Sequence, residues 1–259
     1  MHFNGEIAIV TGGARGIGKA IAEKLLVDGA RVILLDKLED LLQETVSEFA
    51  KKGYNAEGIA VDLLSVSEIE KAVDSVHEKY GAIDVLINNA GVQKRLPALE
   101  FTEEDWDFVI GVNLKAAYFT SKVVAKHMIA RGKGSIVCIS SENSVRFASK
   151  RSLYNISKGG INTMVGSLGV EWARYGLRIN AVAPGYINTE MIQAGIREGL
   201  VIEKDLMSVI PNKRFLEASE IANVVSFIAS DAASGIVGQT IFVDGGMNAN
   251  CLPEPKEMP

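Results

Sequence analysis

The sequence predicts an α/β fold: a doubly wound parallel sheet of about seven strands, with helices on both faces. Three observations carry this. Short, β-branched apolar runs alternate with longer amphipathic runs along most of the chain. The short runs are apolar throughout, the pattern of strands buried on both faces. The first of them passes directly into a glycine-rich turn, TGGARGIG at 11–18, followed at once by a helical pattern.

In chain order, EIAIVT (6–11) reads as a strand and KAIAEKLLVDG (19–29) as a helix. RVILLD (31–36) is the second strand, and LEDLLQETVSEFAKKG (38–53) a helix closed by glycine. AEGIAVD (56–62) and IDVLINN (83–89) repeat the strand signal, with the helix 65–81 between them. Ser65 and Glu68 there have capping-box spacing. GSIVCIS (134–140), LRINAVAP (177–184) and TIFVDGG (240–246) complete the set. Residues 186–216 break the rhythm without a clear strand, in a place where loops often carry the substrate side of a site. No linker interrupts the pattern, so one domain over 1–249 is expected. The tail from 250 to 259 is read as extended or disordered.

The 259 residues are 47% hydrophobic and 23% charged, with net charge −5. A globular core is expected, and no basic run points to nucleic acid. No apolar stretch approaches the ~20 residues of a membrane span, and the N-terminus lacks signal-peptide regions. Two cysteines, Cys138 and Cys251, form no disulfide framework, which fits a cytoplasmic setting. The three histidines lack metal-ligand spacing, so no metal site is expected.

Gly12, Gly16 and Gly18 form G-x-x-x-G-x-G between strand and helix. Such a turn lets backbone N–H groups and the positive helix end approach a pyrophosphate. Asp36 ends the second strand, where a carboxylate can accept from adenosine ribose hydroxyls. Asp36 with Glu39 also fits a helix cap. A 2′-phosphate about 5 Å from Asp36 would be repelled by roughly 3 kcal/mol at an effective dielectric near 20. Arg15 and Lys37 pull the other way. NAD is therefore expected over NADP.

SLYNISKGG (152–160) places Lys158 one helical turn after Tyr154. With six tyrosines and 17 lysines, chance predicts roughly 0.4 such pairs, and a second copy, Tyr118 with Lys122, does occur. Context separates them. Tyr154 follows a strand ending in Ser140 and Ser141, so a serine hydroxyl and a phenol can converge at the carboxyl edge of the sheet. Hydride removal from an alcohol requires a base for its hydroxyl proton. A tyrosine near an ammonium and a positive nicotinamide suits that task, and Ser141 can hold the substrate oxygen.

With TGGARGIG, Asp36, NNAG (88–91) and Ser141/Tyr154/Lys158 in this order, the chain resembles the short-chain dehydrogenase/reductase family over about residues 5–247. The resemblance implies a Rossmann fold and NAD(P)-dependent oxidation of CH–OH groups. It adds Asn113 to Ser141, Tyr154 and Lys158 as a catalytic group, holding a water in a proton relay with the lysine. It implies cofactor contacts from Gly12, Arg15, Gly16, Ile17, Gly18, Asp36, Asp62, Leu63, Asn89, Ala90 and Gly91. Further contacts are implied from Tyr154, Lys158, Pro184, Gly185, Ile187 and Thr189, with Lys158 on the nicotinamide ribose.

Candidate substrate walls are 93–97, 142–151 and 186–216, with Arg95, Asn143, Arg146 and Tyr186 as contacts beside Ser141 and Tyr154. Lys94, Lys150 and Arg151 add cations near the expected mouth. VQKRLPALEFTEEDW is similar to sugar-acid and polyol dehydrogenases of the family, such as gluconate enzymes. A 3-oxoacyl-thioester reductase, a steroid or other carbonyl reductase, and a silent dinucleotide sensor are the alternatives. Glycines at 159, 160, 166 and 169 within one helix suggest helix-to-helix contact between subunits, and family members are commonly tetramers.

Overall fold

A computed structural model describes residues 2–199 and 202–250. All seven predicted strands form, and they make one parallel sheet. They are β1 (Ile7–Thr11), β2 (Arg31–Asp36), β3 (Ala56–Ala60), β4 (Val85–Asn88), β5 (Gly134–Ile139), β6 (Leu177–Pro184) and β7 (Thr240–Val243). Their spatial order is β3-β2-β1-β4-β5-β6-β7. The order reverses between β1 and β4, which opens a crevice at their carboxyl ends.

Successive side chains of a strand point to opposite faces, and the two cores follow that alternation. Ile7, Ile9, Ile33 and Leu35 pack with α3 (Val66–Tyr80), α5 (Ala116–Arg131) and α6 (Ser152–Trp172). Ala8, Val10, Val32 and Leu34 pack with α1 (Gly16–Val27), α2 (Glu39–Lys51) and α9 (Ala218–Ala229). Both faces demand apolar residues, so the central strands cannot alternate. The edge strands β3 and β7 are only half-buried.

Local signals are met in part. Ser65 accepts from the Glu68 N–H at 3.3 Å, but the Glu68 carboxylate turns to the Asp62 N–H at 3.0 Å, so half the expected box forms. Asp36 does not cap α2; Leu38 stands at that position. A complete capping box, Thr102 with Asp105, starts α4 (Glu103–Ile110). α4 runs through a π-helical turn at Gly111–Lys115 into α5. This helix, Glu103–Arg131, is 29 residues long, and its most apolar stretch reaches a mean hydropathy of 1.2. More than half of its apolar window is buried against the protein, which accounts for the composition. Residues 186–216 form α7 (Glu190–Arg197), α8 (Glu203–Val209) and a single parallel bridge, Ile187 to Leu216.

Of the four α6 glycines, two answer to packing within the chain. A Cβ at Gly160 would lie 2.6 Å from Leu114, and one at Gly169 would lie 2.8 Å from the Gly238 backbone. Gly166 faces open space, and Val170, one turn on, is 85% exposed. From residue 251 onward the predicted tail lies outside the described residues.

Candidate active site

The glycine turn lies at the crevice. Gly12 and Gly16 have φ of 64° and 59°, open to glycine at little cost. A Cβ on Gly18 would sit 2.1 Å from the Gly12 carbonyl oxygen, so the turn closes only around glycine there. Asn89 locks it: its Nδ2 donates to the carbonyls of Thr11 and Gly12 at 3.0 and 2.9 Å. The Thr11 hydroxyl in turn accepts from the Asn89 and Ala90 N–H groups. Asp36 accepts from the Ala14 N–H at 3.1 Å and the Leu38 N–H at 3.1 Å, which fixes its carboxylate beside the turn. Arg15, the residue before α1, gives it no side-chain cap, so the helix start offers backbone donors to an anion. These residues suit a dinucleotide pyrophosphate and ribose. Asn89 spends its side-chain amide on the turn, so it shapes the site rather than offering that group to a ligand.

Ile17, Asp62, Leu63 and Gly91 lie along the same crevice region or its rim, on α1 and after β3 and β4. Asp62 accepts from the Leu64 N–H at 3.0 Å. Across the crevice, Pro184 ends β6, and the Gly185 N–H donates to Val243 at 3.0 Å. A Cβ at Gly185 would strike Asp244. The bridge at Ile187 engages the Tyr186 carbonyl and the Asn188 N–H. In a parallel bridge this turns the Ile187 N–H and carbonyl the other way. The Thr189 hydroxyl caps α7 by accepting from Ile192.

Ser141, Tyr154, Lys158 and Asn113 lie near one another at the carboxyl edge of the sheet. Ser141 follows β5, where its hydroxyl accepts from the Asn143 N–H at 3.1 Å, and Tyr154 sits in the first turn of α6, half-buried and within electrostatic reach of that serine. Burial pushes the phenol above its ordinary value; Ser141 and the Arg151 charge oppose this, and Glu142 adds to it. Lys158 is buried, and its Nζ donates to the Ile139 carbonyl at 2.7 Å while standing 5.8 Å from the Tyr154 ring centroid. Burial brings its pKa down to about 8. The expected lowering of the Tyr154 pKa by Lys158 is therefore not what the structure shows, because desolvation dominates both groups. Both Asn113 Nδ2 donors are committed, to the Val92 carbonyl and Ser157 hydroxyl at 2.9 Å each, while Oδ1 accepts from the Val92 N–H at 2.7 Å. A Cβ on Gly91 would lie 3.5 Å from Asn113 Oδ1 and 3.6 Å from Lys158 Nζ, so the strand-tip loop passes over both.

The mouth is more varied than its composition suggests. The Leu96 N–H donates to the Lys150 carbonyl at 3.1 Å, which joins 93–97 to 142–151. Lys94 pairs with Asp105 and is not a free mouth cation. Arg146 donates to the carbonyls of Met247 and Asn250, so it straps the chain end instead of facing outward. Arg95 and Arg151 repel each other, Tyr186 lies within electrostatic reach, and neither arginine has an ion-pair partner among the described residues. Asn143 is buried and donates Nδ2 to Glu142. Glu142 is a residue the sequence reading did not single out. Burial raises it to about 7, although Arg151 and Arg146 lower it. Its neighbours ENS offered the only signal, a carboxylate directly after the strand-tip serine.

Comparison with known proteins agrees with this arrangement. Residues 12–248 match the family described as "Enoyl-(Acyl carrier protein) reductase". A tropinone reductase homolog of Arabidopsis thaliana is 40% identical over 249 residues, covering 96% of this chain and 95% of the relative. The gluconate 5-dehydrogenase of Gluconobacter oxydans is 35% identical over 252 residues, covering 96% of each. A crystal structure of a gluconate 5-dehydrogenase from Burkholderia cenocepacia, in complex with NADP and tartrate, superposes with TM-score 0.91 at 33% identity. The match covers 96% of this chain and 97% of that one.

Proposed function

The chain belongs to the short-chain dehydrogenase/reductase family of nicotinamide-dependent oxidoreductases, and from that premise we propose that it oxidises a secondary alcohol, or reduces the matching ketone, of a small polyol or sugar acid. The observation that carries the reaction type is the buried Lys158 ammonium, held by the Ile139 carbonyl at 2.7 Å and 5.8 Å from the Tyr154 ring on the same helix face, behind the strand tip that bears Ser141. The nicotinamide, when bound, supplies the hydride acceptor or donor. Ser141 holds the reacting oxygen. Tyr154 takes the hydroxyl proton in oxidation and returns it in reduction. Lys158 binds the nicotinamide ribose and receives the proton next; with a pKa brought to about 8 it can both take and release one near neutral pH. Because Val92 and Ser157 engage the Asn113 side chain, a relay water would be held by the main chain of the π-turn, where the helix bonds are widened.

The sugar-acid reading draws on Arg95 and Arg151, two guanidinium groups within electrostatic reach of each other and suited to a carboxylate, and on the gluconate 5-dehydrogenase relatives. NAD is the proposed cofactor because the Asp36 carboxylate, fixed beside the glycine turn at the end of β2, would repel a nearby ribose 2′-phosphate; the NADP held by the Burkholderia enzyme gives that choice no support. A tetramer is proposed through the exposed side of α6, where Ile156, Gly166 and Val170 lie open. A cytoplasmic setting is proposed on Cys138, a buried free thiol.

The test follows NADH formation at mildly alkaline pH with polyols, sugar acids, hydroxyacyl thioesters and hydroxysteroids, with NADP and Tyr154→Phe in parallel. Turnover of sugar acids, lost in Tyr154→Phe, is expected. Turnover of thioesters or steroids alone would overturn the substrate class.

A further inference from the structure

Ser141 is followed by two buried acceptors that the reaction as described does not use. Glu142 is 5% exposed and Asn143 is 3% exposed. Glu142 makes no ion pair among the described residues. Its carboxylate accepts a hydrogen bond from Asn143 Nδ2. A carboxylate offers about four lone-pair positions, so most of its accepting capacity is open. An ionised carboxylate can only accept, which fixes the amide: Nδ2 faces Glu142, and Oδ1 faces away. That Oδ1 is buried and has no hydrogen-bond partner.

Leaving a buried acceptor such as this Oδ1 unmade is costly, and native proteins do so rarely. The charged groups around Glu142 do not remove the cost. Arg146 commits Nη1 to the Met247 and Asn250 carbonyls. Arg151, at the start of α6, acts only through space, and Asp244, after β7, opposes ionisation. Tyr154, on α6, feels the Glu142 charge. The carboxylate therefore lies one residue beyond Ser141, within electrostatic reach of the phenol that meets the reacting oxygen.

We propose that Glu142 determines substrate specificity by accepting a hydrogen bond from a substrate hydroxyl adjacent to the reacting carbinol, with Asn143 orienting its carboxylate. The assignment rests on the hydride-transfer reading above and deepens it: the substrate class is one with a vicinal diol at the reacting end. Arg95 and Arg151 supply donors at the mouth, and Glu142 supplies the acceptor inside. The acceptor is ionised above pH about 7 and protonated below it, so diol preference rises as pH passes upward through that value.

The experiment compares cis-cyclohexane-1,2-diol with cyclohexanol as substrates of the full-length wild type, Glu142→Gln and Glu142→Ala, from pH 6 to 9. The readout is the ratio of kcat/KM for the two alcohols. Titrations of Tyr154 and Lys158 act on both substrates and cancel in the ratio. Wild type is expected to prefer the diol by about 10- to 100-fold at pH 8.5, with the preference falling below pH 7. Glu142→Gln, nearly isosteric, keeps the assay usable if Glu142→Ala misfolds, and its ratio is expected to collapse and to lose its pH dependence. A wild-type ratio near one, or a ratio unchanged in Glu142→Gln, overturns the assignment and leaves the oxidoreductase reading standing. Loss of the ratio in Glu142→Gln, in an enzyme that ignores gluconate, upholds Glu142 and overturns the sugar-acid reading.

Discussion

Helices α5 and α6 each carry Tyr-x-x-x-Lys, and the two copies have opposite fates. Tyr118 is 42% exposed, and Lys122 lies in solvent with its Nζ 5.6 Å over the neighbouring Phe119 ring. Tyr154 is half-buried within electrostatic reach of Ser141, and Lys158 is buried with its ammonium on the Ile139 carbonyl. The spacing is the same in both, so spacing cannot be the source of the difference. The strand in front of α6 is. β5 delivers Ser141 and the Ile139 carbonyl to the first turn of α6, whereas α5 continues out of another helix. A motif acquires chemistry from what the sheet edge places against it.

The largest effect expected from this contrast is on turnover. Tyr154→Phe should lower kcat/KM by about 10²–10⁴-fold, the range of a lost general acid–base. Tyr118→Phe should leave steady-state kinetics within twofold. Equal losses in both variants would erase the distinction between the helices.

Stability sharpens it. The folded Lys158 titrates near 8, below the ordinary lysine value of 10.5. The unfolded chain then binds the proton more tightly, so stability rises as pH climbs from about 8 to about 10.5, and the full cost is present below 8. About 2.5 pK units correspond to about 3 kcal/mol. Lys158→Met should therefore abolish turnover yet raise the urea midpoint at pH 7. Lys122→Met, in solvent, should leave that midpoint within the ±0.5 kcal/mol typical of surface changes. A destabilised Lys158→Met would show that its bond to Ile139 outweighs the desolvation.

Glu142 gives a related but reversed dependence. Its folded pKa, about 7, lies above the ordinary glutamate value of 4.5. The folded state holds the proton more tightly, so stability is full below about 4.5 and declines as pH rises to about 7. Glu142→Gln should flatten that decline and melt higher than wild type at pH 8, by up to about 3 kcal/mol at the same conversion. The smallest effect belongs to Gly166, where added methyl meets open space. Gly166→Ala should stabilise the isolated subunit by about 1 kcal/mol, and size-exclusion chromatography should show weaker assembly if that face joins subunits.

Much of this was legible in the residues. Continuous apolar runs gave seven strands because both sheet faces are covered, and each run sits within three residues of its strand at either end. The glycine turn was legible because Gly18 has no alternative against the Gly12 carbonyl. Tyr154, Ser141 and Lys158 were legible from their order. The mouth was not, because side chains of one type diverged by tertiary partner. Lys94 went to Asp105, Arg146 to the chain end, and Arg95 to Arg151's side. Glu142 was invisible because nothing local marks a carboxylate that the fold will bury. The Asp36–Glu39 cap failed because Asp36 is held by Ala14, across the turn, as well as by Leu38.

The π-turn at Gly111–Lys115 works as a spacer that absorbs one extra residue within one long helix. Its wider winding takes about five residues over the turn that about four make in an α-helix. Deleting a single residue here would heal the widened turn into regular α-helix and leave α5 near its present orientation, with Val123, Val124 and Met128 still on the core. What would go is the bulge that carries Asn113 to Val92 and Ser157. A deletion in the regular helix beyond it would instead swing the stretch that follows by about 100°. Library designs that shorten this helix at these five positions should keep the fold and lose the pin on the strand-tip loop, while those that shorten it elsewhere should lose the core face.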